Sequence, residues 1–116
     1  MPSQGRVYHH LSAQVGSTYV SGNAGGTGPT DITLMELSNT TAAIAYLQIF
    51  WLATGAVTLG TTVPDVVIGL PANGGAVLKF EGEGWHTGGT AWGMCGTTTR
   101  TGLTQALIDV TIWRKA

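Results

Sequence analysis

The sequence predicts an all-β fold: a single-domain antiparallel β-sandwich, jelly-roll-like, with about seven or eight short strands. Three observations carry this. Segments rich in Val, Ile, Thr and aromatic residues are separated by Gly and Pro at roughly 8–12-residue intervals, the spacing of strands and turns. The chain has 18 Gly and as many Thr, with no bias toward helix formers. No long stretch repeats apolar residues at helical spacing.

Seven strands follow in order, at about Thr18–Ser21, Ile32–Ser38, Ala43–Leu52, Asp65–Leu70, Ala76–Phe80, Thr90–Cys95 and Leu107–Trp113. In the last of them, Ile108, Val110, Ile112 and Arg114 alternate with Leu107, Asp109, Thr111 and Trp113. The first set is expected to face the core, with Arg114 at the exit. Ala43–Leu52 is apolar on both faces: Leu47, Ile49 and Trp51 on one, Ile44, Tyr46, Phe50 and Leu52 on the other. Such a strand is buried on both sides, either at a sheet centre or against a second subunit. Pro71-Ala72-Asn73-Gly74-Gly75 supplies a fixed φ followed by residues that tolerate positive φ, so a hairpin is expected there. Ser21–Pro29 is Gly-rich and reads as a loop. Residues 1–15 are expected to form an N-terminal arm and 16–116 the sandwich.

Composition narrows the function. The 116 residues carry 5 Lys and Arg, 6 Asp and Glu and a net charge of -1, so phosphate neutralisation is not a plausible basis for binding nucleic acid. Charged residues are only 9% against 43% hydrophobic, which fits a surface that meets another protein chain. The longest apolar run, Ala42–Ala53, is too short to span a bilayer, and Met1–Val15 has no signal-peptide pattern. No membrane association and no export are expected.

Cys95 is the single cysteine, which removes an internal disulfide and a multi-cysteine zinc site; between Met94 and Gly96 it reads as buried packing. His9 and His10 are adjacent, a poor chelate in an extended strand, and His86 is the only other imidazole. Glu81 and Glu83 sit in Glu-Gly-Glu-Gly, a turn rather than a cleft. Neither a phosphate-binding loop nor a nucleophile elbow occurs. No catalytic set, metal or cofactor is expected. Of the four Trp, Trp51, Trp85, Trp92 and Trp113, Trp92 reads as core, and Trp85, between Gly84 and His86, reads as an exposed contact.

The segment Ala42–Phe80 carries an ordered set of motifs. Tyr46-Leu47 with Phe50 is followed by Val57, Gly60-Thr61 and Pro64, then Val67 with Leu70, then Pro71-Ala72-Asn73-Gly74-Gly75 and the closing Phe80. With the small-residue stretch Gly84–Gly96, the Thr-rich Thr97–Thr104 and the terminal Trp113-Arg114-Lys115, this resembles a family of small virion proteins of tailed bacteriophages and prophages. The likeness covers the last two-thirds of the chain. It departs from the family at Ala45, where a basic residue is common, and at Trp51, where Asn is common; both make the strand more apolar.

The resemblance implies a β-sandwich, often trimeric, that decorates or cements a capsid or forms part of a head fibre or tail adhesion device. The expected function is therefore a capsid decoration protein on the virion exterior. It would bind the major capsid protein as a homotrimer, without cofactor or catalysis. Phe50 and Trp51 are the expected apolar interface anchors, and Tyr8, His9 and His10 the arm contacts. The alternative is a carbohydrate- or receptor-binding module of a tail or fibre, with Trp85 stacking on a host glycan beside His86, Glu81 and Glu83.

Overall fold

The computed structural model describes residues 7–22, 31–52, 54–80, 85–86, 92–99 and 106–115. The described strands are β1 (Val7–Val15), β2 (Val20–Ser21), β3 (Asp31–Asn39), β4 (Ala45–Phe50), β5 (Val66–Leu70), β6 (Gly75–Lys79), β7 (Trp85–His86), β8 (Gly93–Thr97) and β9 (Ile108–Lys115). One sheet, A, runs β1-β9-β3-β6, with β7 also on β3; the other, B, runs β2-β8-β4-β5. Every pairing is antiparallel.

Set the two-residue β7 aside and number the other eight in chain order. They then lie 1-8-3-6 in one sheet and 2-7-4-5 in the other, which is the order of a jelly roll. In that order every connection between successive strands crosses from sheet to sheet except the one from β4 to β5.

The alternation of β9 is as expected. Ile108, Val110 and Ile112 have no exposed surface and pack inward, while Asp109 is exposed and Arg114 half-buried. From sheet A they are joined by Val15, Ile32, Met35 and Leu37, and from sheet B by Ala45, Leu47, Ile49, Leu70 and Met94, with Trp92 just before β8. Gly96 must be small, because a Cβ there would lie 2.8 Å from the Val15 carbonyl and 2.9 Å from that of Ala106.

Three expectations are corrected. The segment Pro71–Gly75 does not join a hairpin, because β5 lies in sheet B and β6 in sheet A. It is a corner between the sheets. The reversal itself is there: Asn73 has φ 53°, and the Gly74 amide donates to the Pro71 carbonyl at 3.0 Å. Asn39 ties this corner to the one leaving β3, donating from Nδ2 to the Ala43 and Pro71 carbonyls, each at 2.9 Å, while Oδ1 accepts from the Thr41 amide at 2.8 Å.

Residues 7–15 of the segment expected as an arm form β1 instead, paired with β9 from Val7↔Lys115 to Val15↔Ile108. His10 falls in the register shift of that pairing. Finally, β4 is shorter than expected and lies between β8 and β5, so its two-sided burial arises within one chain. Thr90 and Ala91, expected in the sixth strand, and 23–29 of the expected loop lie outside the described residues.

Candidate binding faces

The outer face of sheet A is polar. Register places Glu36 opposite Thr111, and Ser38 opposite Asp109, on neighbouring β3 and β9. The two carboxylates are thus diagonal neighbours, a relation that puts their backbones roughly 7 Å apart. Each accepts a side-chain donor: the Trp113 indole N–H reaches Glu36 Oε1 at 3.1 Å, and the Gln14 amide reaches Asp109 Oδ1 at 3.4 Å. Beside them runs an open groove of about 480 Å³, walled on the β6 side by Gly75, Ala76 and the exposed Val77. Chemically this face offers fixed acceptors, two hydroxyls and one apolar wall, which suits a neutral, hydroxyl-rich ligand better than an anion.

A second face is the connection between β4 and β5. It is pinned where it leaves and rejoins the sheet: the Trp51 amide donates to Asp65 Oδ2 at 2.8 Å, and the Asp65 amide to the Ile49 carbonyl at 2.9 Å. Within it, Thr54–Ala56 form a 3-10 turn. The Thr61 and Thr62 amides bond the Thr58 carbonyl across Gly60, whose φ of 86° suits glycine. Long loops with their own internal bonding are commonly functional. From Leu52 to Pro64 this one has no charged residue, and it exposes Val63 (77%) and Leu52 (39%).

The expected site residues are distributed as follows. Tyr8 and His9 lie on edge strand β1, opposite Arg114 and Trp113 of β9. Phe50 has no exposed surface in the single chain, so an anchoring role would require it to be uncovered; Trp51 is half-buried, packed on the core, its ring 5.6 Å from that of Trp92 at 59°. Trp85 and His86 form β7, pairing with Ile32 and Asp31. Glu81 and Glu83 lie outside the described residues. The expected grouping of Trp85 and His86 with Glu81 and Glu83 thus lies outside the described residues.

Glu36 was not apparent from sequence. Its exposure could be read from the Leu34-Glu36-Ser38 alternation, but its neighbour Asp109 is fixed only by the β3–β9 register. Cys95 is fully buried, as expected, and burial pushes its thiol up to about 11. Among the described residues no three His, Cys, Asp or Glu cluster in a way that could hold a metal, and no helix is long and apolar enough to cross a membrane.

Fold and faces together define a jelly-roll β-sandwich with one polar sheet face and one uncharged loop. No protein-family model and no curated protein matches this chain.

Proposed function

We propose that this chain is a structural virion protein of a tailed bacteriophage, a capsid decoration protein that binds the major capsid protein as a homotrimer and stabilises the head without catalysis. The observation that carries this reading is the correspondence between motif and fold. Several of the positions that resemble the virion family are ones at which this jelly roll turns: Gly60 at positive φ and Pro64 in the β4–β5 loop, and Pro71–Gly75 at the corner between sheets. The architecture is one that viral capsid proteins share with lectins, so by itself it supports a surface that binds rather than a particular partner. A cement protein works by burying area across subunit boundaries.

The test is to purify particles from the bacterium that carries the coding sequence and analyse them by mass spectrometry. The chain should co-purify with the major capsid protein through a density gradient, and heads stripped of it should rupture at lower temperature. Its absence from purified particles would overturn the reading.

The glycan-binding alternative is favoured by one observation, the groove beside Glu36, Asp109 and Val77, with the Trp113 indole bonded to Glu36 at its margin. In this reading the outer face of sheet A is a proposed glycan contact in addition to Trp85 with His86, Glu81 and Glu83. Host polysaccharide should then perturb tryptophan fluorescence in the wild type and not in Asp109→Asn.

A further inference from the structure

We infer that the β4–β5 loop is a self-association surface, on which Leu52 and Val63 of one copy pack against the same loop of other copies. The inference rests on the homotrimer in the reading above and assigns the residues that would make it.

Two observations place the patch. Leu52 follows Trp51 directly, and Val63 lies two residues before Asp65. Both are therefore held close to the Trp51–Asp65 hydrogen bond of 2.8 Å, within one or two Cα spacings of about 3.8 Å. The base is further fixed by Tyr19, the residue just before β2, whose hydroxyl donates to the Leu52 carbonyl at 2.7 Å. Two of the four large hydrophobic side chains exposed among the described residues, Leu52 and Val63, thus sit on one anchored loop, next to the half-buried Trp51. Anchoring matters because a loop already ordered loses little further entropy on association.

Charge selects the occupant. Around a symmetry axis each residue comes close to its own copies, so a charged residue there repels itself. An uncharged surface carries no such penalty. Leu52–Pro64 contains none of the chain's 11 charged residues, and the nearest, Asp65, is engaged by the Trp51 amide. A strongly charged partner would find nothing on this loop to pair with. A second copy brings the same neutral, apolar surface, matching the charge-depleted core of protein interfaces.

The experiment is absolute mass by light scattering after size exclusion on the wild type, Val63→Asp, Val63→Lys and Val77→Asp. The wild type is expected near 36 kDa, three times the 12.0 kDa chain. Either charge at Val63 should raise the dissociation constant by about a hundredfold or more, since it would be buried against its own copies. Val77→Asp, on the other exposed face, should leave the mass unchanged. Val63 is exposed, so the variants fold, and matching far-ultraviolet circular dichroism verifies this. An oligomer that survives both Val63 charges overturns the loop contact and leaves the trimer standing on other residues. A monomeric wild type overturns the loop contact and the homotrimer together. Attachment to particles is decided separately by the gradient experiment.

Discussion

Gly22 lies flat against the indole of Trp92. Its amide donates to the Trp92 carbonyl at 2.8 Å, and a Cβ in its place would fall 2.2 Å from the ring. The ring cannot retreat easily, because Trp92 is fully buried in the core and packed against Trp51. Gly22→Ala should therefore destabilise the fold by about 1–3 kcal/mol, the range for overpacking a tight site. Urea unfolding followed by tryptophan fluorescence measures it, and an unchanged midpoint would refute the contact.

The corner residue Asn39 should be equally costly to replace. Asn39→Ala leaves the Ala43 and Pro71 carbonyls and the Thr41 amide without their side-chain partner at the junction of two corners. A loss of about 2–4 kcal/mol is expected, below one to three for each group because the three are only part-buried and water can reach them. Asn39→Asp should not rescue it, since a carboxylate cannot donate to those carbonyls. Thermal unfolding of both variants would check this.

Core and groove should respond differently. Ile112→Ala removes a fully buried side chain between the sheets and should cost about 2–5 kcal/mol. Val77→Ala, on an exposed face, should stay within about 0.5 kcal/mol. Equal effects in chemical denaturation would mean that the inward and outward faces of sheet A are wrongly assigned.

Cys95 provides a pH dependence. Burial raises its folded thiol from an ordinary value near 9 to about 11. The folded state then binds the proton more tightly than the unfolded state, so this contribution to stability is whole below pH 9 and is lost as pH rises toward 11. A two-unit shift corresponds to about 3 kcal/mol at most. Cys95→Ala should flatten the alkaline limb of the stability curve. In the same preparation, the wild-type thiol should react with a disulfide reagent at pH 8 only at the rate at which the protein opens.

Asp65→Ala tests the loop anchor. Losing the carboxylate that accepts from the Trp51 amide should cost about 1 kcal/mol, because the site is exposed to water. Amide exchange should accelerate at Trp51 and across residues 58–62, with the core strands little changed.

The sequence made the strands legible where alternation or apolar runs were strong. Ile108, Val110 and Ile112 announce one buried face, and β4 announces two. The sheet to which each strand belongs was legible only as a jelly-roll-like class. Pro71–Gly75 bears every mark of a reversal, yet turn chemistry fixes local φ and not the destination of the next strand. In this fold that destination is the opposite sheet. β1 was obscured because His9, His10, Ser12 and Gln14 dilute its apolar residues, and its pairing partner lies at the far end of the chain. The Glu36–Asp109 pair was hidden for the same reason: each is an ordinary outward residue until β3 and β9 are set side by side.

The place of β9 has a consequence for how the protein is made. It lies between β1 and β3 in sheet A, and its bonds to β1 span 95 and 99 residues of sequence at Gln14–Asp109 and Ser12–Thr111. Until β9 has emerged from the ribosome, β1 has no described neighbour in its sheet, and β3 lacks one of its two long partners. Contacts so distant in sequence form slowly, and strand edges left open in the meantime are prone to pair with other chains. The nascent chain therefore carries β1 unmatched, and β3 paired on one side at most along its length, until β9 appears. In a crowded polysome, its yield should depend on chaperones that shield those edges.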